Sequence, residues 1–219
     1  EELYNHGPHP GILTFDIGNP NLRAEQGDGV DFSLHHDTER LQLEASAFYY
    51  NISNFVFQAF TGETDAESNL PIIKYSQGRS RFLGTEANIV ARVLPALWLS
   101  GKVDYVRAEL VAQDKPLPRI PPLRETLGLD WRYKAFDIRP ELIVANRQVR
   151  VFDHETPTAG YAVFNLSGSY TFVTKRVAHV LSVNGYNLGD KLYRNHLSFI
   201  KQFAPEMGRS VRLNYSLRF

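Results

Sequence analysis

Hydrophobic and polar residues alternate along much of the chain, and the closing run shows the pattern most clearly. There the apolar residues Val211, Leu213, Tyr215, Leu217 and Phe219 are separated by Arg212, Asn214, Ser216 and Arg218. Similar runs occur at 41–50, 83–93, 97–105, 126–133 and 162–172. A period of two residues places apolar side chains on one face of a β-strand, and no stretch keeps the 3.6-residue period of a helix for long. The pattern predicts an all-β, antiparallel chain with about nine strands after Ala24.

Turn-rich segments of two lengths separate these runs. The short ones lie near residues 37–40, 94–96, 134–135 and 173–177, and the long ones near 59–71, 113–122, 153–160 and 189–207. The first 23 residues hold prolines and glycines without a steady period, and we expect them to form a long loop. Short turns at one rim and long loops at the other are typical of outer-membrane β-barrels, whose long loops face the outside of the cell.

Alternating strands also occur in soluble sandwiches, where the apolar faces meet in a dry core. Three features favour a transmembrane barrel instead. The runs 41–56 and 78–93 are longer than most globular strands. Charged residues stand in mid-strand on the polar faces, which suits a hydrated lumen: Glu86, Lys102, Asp104, Asp130 and Arg212. Aromatic residues lie beside the expected short turns, as in an interfacial girdle: Trp131, Tyr133, Phe136, Tyr170, Phe172 and Phe219.

Composition excludes several classes of protein. Hydrophobic residues make up 43% of the 219 residues and charged residues 22%, which is typical of a folded chain. Lys plus Arg equals Asp plus Glu at 24 each, so no net field attracts nucleic acid, and we expect no nucleic-acid partner. The chain has no cysteine, which excludes thiol catalysis and disulfides. It has no GxSxG stretch either, so we expect no enzyme; a barrel protease or phospholipase is a minor alternative.

Four stretches resemble the TonB-dependent outer-membrane receptors, and among these they are most similar to the zinc-uptake receptors. They are ELYNHGPHPGILTFDIGNPNLRAE at 2–25, YSQGRSRFLGTEA at 75–87, PRIPPLR at 118–124 and NGYNLGDKLYRNHLSFIKQFAPEMGRSVRLNYSLRF at 184–219. The first is similar to an external loop that leads into a strand, and the last to the closing strand of the family with its terminal aromatic residue. The likeness spans nearly the whole chain.

The resemblance implies that residues 1–219 are the C-terminal part of a receptor barrel of about 22 strands, in the outer membrane of a Gram-negative bacterium. Because about nine strands cannot close such a lumen, and bacterial barrels have an even number of strands, we expect further strands and a plug domain before Glu1. The resemblance also implies energy coupling to TonB–ExbB–ExbD through the plug, contact with outer-membrane lipid, and recognition of the strand ending in Phe219 by the barrel-assembly machinery.

The cargo and the mode of transport stay open at this point. The resemblance implies that zinc is a transported ligand and that no cofactor is required. Siderophores, haem and cobalamin share the scaffold, so a siderophore or haem receptor is an alternative within the family. A passive porin-like or ligand-binding barrel is the alternative outside it, and a plug and TonB box upstream would decide between them.

Histidines in the expected external loops are the candidate metal ligands. The resemblance points to His9 in its Gly-x-His stretch. His6 is a candidate because it lies three residues before His9, and His154 because it falls in the expected external loop 153–160. Neutral imidazoles are common zinc ligands. On the residues alone, solvated surface histidines explain His6 and His9 as well, and a hydrated charged loop explains Asp153, His154 and Glu155. The remaining external histidine is His196.

Overall fold

The computed structural model describes residues 2–219, and they form a single twelve-stranded sheet. The strands are β1 (His6–His9), β2 (Thr14–Ile17), β3 (Gln26–Asp37), β4 (Leu41–Thr64), β5 (Pro71–Leu94), β6 (Leu97–Leu110), β7 (Lys115–Pro116), β8 (Arg124–Tyr133), β9 (Phe136–Ala145), β10 (Tyr161–Thr174), β11 (Val177–Tyr186) and β12 (Ser210–Arg218). Across these residues we find no helix long and apolar enough to span a membrane. The all-β prediction is confirmed.

Nine long strands form an antiparallel meander in the order β3, β4, β5, β6, β8, β9, β10, β11 and β12. The two-residue strand β7 pairs with the end of β6. At the two ends of the meander, β3 pairs only with β4 and β12 pairs only with β11 within the described part of the chain. The sheet is therefore open, and it is a segment of wall and not a closed barrel.

The connections alternate between short turns and long loops, as the sequence predicts. The short turns occupy 38–40, 95–96, 134–135 and 175–176, and the long loops occupy 111–123, 146–160 and 187–209. Two boundaries are wrong. The loop predicted at 59–71 spans only 65–70, because β4 and β5 are each 24 residues long and continue as one hairpin, and the loop predicted at 153–160 begins already at 146, because β9 ends at Ala145. Irregular register after Ile52 and after Phe60 lets the pairing continue where the alternation breaks.

The predicted long loop over the first 23 residues is also wrong in part. β1 and β2 form a short antiparallel hairpin, and β2 pairs in parallel with the outer end of β5. Strands of four residues with Pro8 inside leave almost no period to detect. Their pairing depends on Ile72, Ile73 and Lys74, which are distant in sequence, so a local pattern could not have predicted it.

The two faces of the sheet differ as a membrane wall requires. One row across six strands, read in register, is Leu43, Ile89, Gly101, Leu127, Leu142 and Phe164. Leu43 is half-buried, and the other large side chains of the row are exposed; Leu127, for example, is 56% exposed. Apolar side chains that point away from the protein in register exclude the dry centre of a soluble sandwich. We call this the outward face.

The opposite face is polar and is called the inner face below. Glu86, Asp104 and Arg124 are register partners on it, and Arg124 holds Asp104 through two hydrogen bonds of 2.6 and 3.1 Å. Nearer the short turns, Asp130, Arg132, Asp137 and Arg139 form one ion-pair network.

Aromatic side chains gather on the outward face beside the short turns. Trp131 stacks on Tyr133 with ring planes 6° apart, and Phe136 lies 4.8 Å from Tyr170 between ring centroids. Phe172 stacks on His179, whose Nδ1 lies 2.5 Å from the Tyr215 hydroxyl. This belt matches the aromatic girdle that the sequence predicts.

Candidate functional site

The long loops are folded back over the loop end of the sheet and are packed against it. A small buried cluster makes this contact: strands β4 and β6 supply Phe57, Ala108 and Leu110, and the loops supply Leu117 and Phe152. Phe57 and Phe152 meet edge to face, 5.5 Å apart between centroids. Because this cluster joins two different loops to the strands, the loops at this end of the sheet form one packed surface and are not independent of each other.

Glu155 is the hub that ties three loops together. Its side chain is only 4% exposed. Its carboxylate accepts hydrogen bonds from the backbone N–H of Arg119 in loop 111–123 and of Phe152 in its own loop. From loop 187–209, Lys201 Nζ donates a third bond of 2.9 Å to Oε1. A buried carboxylate is stable only when its charge and its lone pairs are matched in this way.

The electrostatics follow from the same contacts. Burial alone would raise the pKa of Glu155, but the adjacent His196 ring and the hydrogen bonds from Lys201 and the Arg119 amide outweigh it and lower the pKa from 4.5 to about 2. Burial lowers the pKa of Lys201, and Glu155 opposes that shift. Glu155 is therefore a permanent anion at neutral pH, and its partners hold it in place.

His196 is buried on the other side of the hub. Its Nδ1 lies 2.9 Å from the Thr158 hydroxyl, and its Nε2 lies 3.2 Å from Glu155 Oε1. The second contact is within ion-pair distance, but its direction is not that of a hydrogen bond, so Nε2 has no hydrogen-bond partner among residues 2–219. His196 thus packs against the Glu155 carboxylate.

Glu155 and His196 lie between two cavities. The outer cavity, of about 260 Å³, is lined by Phe60, Phe152, Phe199, Arg119, His154 and Lys201, among others. The inner cavity, of about 300 Å³, is lined by the inner-face residues Glu86, Asp104 and Arg124 together with Arg194 and His196. Apolar walls with a few convergent polar groups are the usual lining of a small-molecule site.

Arg119 is placed at the outer cavity by the hub. It has a positive φ of 55°, its N–H is held by Glu155, and its guanidinium lies 3.8 Å from the centroid of the Phe199 ring. Burial lowers the pKa of this guanidinium, and Glu155 partly offsets the shift. A cation stacked on an aromatic ring beside an apolar cavity can bind an anionic group of a ligand.

His9 lies on the β1–β2 hairpin, where Asp16 orients its ring. His9 Nδ1 is 3.2 Å from Asp16 Oδ2, and the Thr14 hydroxyl donates to Asp16 Oδ1 at 2.6 Å. Asp16 is buried, whereas the His9 side chain is 45% exposed. A carboxylate on Nδ1 favours the tautomer whose Nε2 is free to bind a metal, as in many metal sites.

The other predicted ligands are placed apart from His9. His6 is three residues away on the same strand, so it points to the opposite face, and its ring packs edge-on against Phe15. His154 lines the outer cavity and covers Gly62, where an added Cβ would lie 2.7 Å from His154 Cε1. Over residues 2–219, no three His, Asp or Glu side chains are grouped so as to hold a metal ion.

No pattern in the sequence indicates the hub. The interpretation of residues 153–155 as a hydrated charged loop holds for Asp153, which forms an exposed ion pair with Lys115 at 2.5 Å. It is wrong for Glu155, which is buried. Its partners are 36 and 46 residues away in sequence, and no spacing rule links them.

Comparison with known proteins supports the same architecture. The family model described as TonB dependent receptor-like, beta-barrel matches residues 1–188. Among solved structures, the copper transporter OprC is 23% identical with a TM-score of 0.77, and the match covers 88% of this chain and 31% of that one. The FrpB iron transporter from Neisseria meningitidis is 15% identical, with a TM-score of 0.65 and coverage of 91% and 32%.

A third similar structure is the siderophore receptor PirA from Pseudomonas aeruginosa, 16% identical with a TM-score of 0.60, covering 93% of this chain and 31% of that one. The present chain thus spans about a third of the length of each of these proteins, and identities this low show the fold alone. The three names specify copper, iron and a siderophore, so they lend no support to the zinc subfamily. With the family model matching residues 1–188 and the strands forming an open wall with one apolar face, the chain belongs to the TonB-dependent receptor-like β-barrel family, whose members are outer-membrane proteins of Gram-negative bacteria.

Proposed function

We propose that this chain is the C-terminal wall of a receptor that takes up a small metal-containing ligand across the outer membrane. The observation that carries the proposal is the pair of cavities at the loop end, one open to the external loops and one on the inner face, with Glu155 and His196 between them. A ligand bound in the outer cavity would lie one side-chain layer from the lumen. Under this proposal Arg119 and Phe199 contact it, and Glu155 is a positioning residue.

The cavity itself can be tested by filling it. Ser198 lines the outer cavity, so Ser198→Trp in the intact receptor should abolish saturable ligand binding. Leu192 lies in the same loop, is 67% exposed and does not line the cavity, so Leu192→Trp is the matched control. Binding and accumulation of zinc, copper and a ferric siderophore are measured for both. Unchanged uptake by the Ser198 variant would remove the cavity from the proposal.

Active uptake further requires TonB–ExbB–ExbD acting on a plug domain, and we propose this coupling from family membership. Cells with the intact receptor should accumulate cargo only when TonB is present. Accumulation without TonB, together with steady ion conductance in planar bilayers, would instead identify the passive porin-like barrel. The β12 strand, which ends next to the exposed Phe219, is proposed as the segment read by the barrel-assembly machinery.

Zinc is the proposed cargo, with His9 as a ligand, because Asp16 holds the ring with Nε2 free. The remaining ligands would come from elsewhere in the receptor or from His154; His6 faces away from His9 and is the weaker candidate. Zinc titrated into the intact receptor should bind at least tenfold more weakly to His9→Ala. His36→Ala, at an exposed position on β3, is the control. Equal affinity of the wild type and His9→Ala would eliminate this role for His9.

A further inference from the structure

An arginine cluster lies on the outward face, where the apolar rows of β5 and β6 end. Along β6 the outward positions are Leu99, Gly101, Val103 and Tyr105, followed by Arg107 and Glu109. On β5, Arg81 is the register partner of Glu109. The face therefore changes from apolar to basic within one step of two residues, on two adjacent strands.

The height of this change coincides with the edge of the hydrocarbon. Arg107 lies ten residues along β6 from Leu97, which begins the strand beside the short turn. At about 3.3 Å per residue and a tilt of about 40°, the rise is about 25 Å. The apolar band of an outer-membrane barrel is also about 25 Å tall. Arg107 is thus at the level of the outer-leaflet headgroups.

The cluster carries more positive charge than its own carboxylate can neutralise. Arg107, Arg81 and Arg150 all converge on Glu109, at nitrogen-to-oxygen distances of 3.1, 3.7 and 3.6 Å. Glu109 is largely covered, whereas the three arginines are each 40–45% exposed. With Arg147 nearby, and counting the outward-facing Glu125 paired with Val103 below the cluster, four arginines face two carboxylates.

A groove of about 180 Å³ lies within this cluster. It is lined by Arg107, Arg147 and Arg150 together with the apolar surfaces of Tyr105, Pro116 and Ile120, among others. β8 pairs with β6 only as far as Asp104, and β7 pairs only with Glu109 and Leu110, so the groove follows the edge of β6 in between. Exposed guanidinium groups beside an apolar wall match a phosphate attached to acyl chains.

We propose that this groove binds the phosphate group of an anionic lipid in the outer leaflet of the membrane. Arg107 and Arg150 donate to the phosphate oxygens, Glu109 holds their guanidinium groups close together, and Tyr105 and Ile120 contact the glycolipid or its chains. The groove shares no lining residue with the outer cavity, whereas Tyr105, Val106, Pro122 and Asn146 also line the inner cavity, so the lipid site is separate from the outer cavity only.

The test measures lipid binding by the intact receptor. The receptor is exchanged into a neutral detergent, and bound lipid is detected by native mass spectrometry. The probes are diphosphorylated lipid A, the same lipid without its phosphates, and inorganic phosphate alone. Arg107→Gln combined with Arg150→Gln should weaken binding of the phosphorylated lipid about tenfold or more. Arg212→Gln, which removes one positive charge from the inner face, should leave it unchanged.

Three results would overturn the proposal. The double variant could bind the phosphorylated lipid as tightly as the wild type, or the dephosphorylated lipid could bind equally well, which would leave only nonspecific acyl contact. Inorganic phosphate could bind as tightly as the lipid, which would make the groove a site for a soluble anion. Heat-modifiable migration of each variant on a gel verifies that the barrel is folded, so a loss of lipid cannot be confused with misfolding.

Discussion

Glu155 Oε1 and Lys201 Nζ lie 2.9 Å apart, and their side chains are 4% and 6% exposed, so two external loops are joined by an ion pair that water scarcely reaches. Pairs of this kind stabilise a fold mainly because removing one partner leaves the other charge buried and unmatched. The pair therefore couples loops 146–160 and 187–209, together with the contact between Thr158 and His196.

Loss of the Glu155 charge should release loop 187–209. Glu155→Gln leaves the Lys201 ammonium buried without a counter-charge, which costs about 3 kcal/mol of local stability. Hydrogen exchange in the intact receptor should show faster exchange across 187–209, with no change in the β8–β9 hairpin. Asp153→Asn, which breaks only an exposed pair, should cost under about 1 kcal/mol. Similar protection in both variants would contradict the hub.

The same carboxylate should make loop order sensitive to acid. Its folded pKa, about 2, is below its unfolded value of 4.5. Its contribution to stability is therefore complete above about pH 4.5 and is lost as the pH falls toward 2. Since this chain has no cysteine, a spin label at Leu192→Cys can report loop mobility. Mobility should rise across that window in the wild type and be high already at pH 7 in Glu155→Gln. A flat wild-type curve would refute the assignment.

Gly62 should tolerate no side chain. Its φ is +83°, and a Cβ there would lie 2.7 Å from His154 Cε1. Gly62→Ala is expected to destabilise the outer end of the β4–β5 hairpin by about 1 kcal/mol or more, through the backbone and the clash together. In a double-mutant cycle measured by hydrogen exchange, adding His154→Ala should relieve the clash and recover that part of the lost stability, but not the part caused by backbone strain. Full recovery of the lost stability would mean that the positive φ imposes no strain. No recovery would mean that His154 does not lie over Gly62.

The Asp16 carboxylate should matter for metal binding without touching the metal. Asp16→Asn removes the acceptor that orients the His9 ring, and such outer partners are commonly worth 10- to 100-fold in affinity. Zinc titration of the intact receptor should show a loss in this range. Circular dichroism should be unchanged, and Asp65→Asn serves as a control carboxylate in an external turn. Unaltered zinc affinity would argue against His9 as a ligand.

The outward face should reject charge in proportion to its depth. Val183 is outward-facing and 44% exposed near mid-strand of β11, and its neighbour Ser182 faces inward. Val183→Arg is expected to cost about 2–4 kcal/mol in lipid, whereas Ser182→Arg should cost far less. Unfolding of the intact receptor in bilayers by denaturant titration compares them. Equal costs would contradict the membrane orientation of this sheet.

Local sequence was sufficient for the strands and their faces. Apolar residues recur at every second position in runs such as the one that includes Leu217, and polar residues such as Glu86 and Asp104 stand between apolar neighbours. A pleated strand converts that spacing directly into two faces. The aromatic girdle followed in the same way, because Trp131 and Tyr133 stand next to a short turn. Residues 6–17 were mispredicted, since their pairing with β5 is made by a distant strand.

What only the tertiary structure decided is which polar residues meet. Nothing in the spacing joins Glu155 to Lys201 and the Arg119 amide, or Asp16 to His9, or three arginines to Glu109. Hydrophobic alternation is a local property, because each residue responds to lipid or water on its own side of the strand. An ion pair or an oriented imidazole needs two atoms within about 3 Å, and that distance is set only after loops far apart in sequence have packed together.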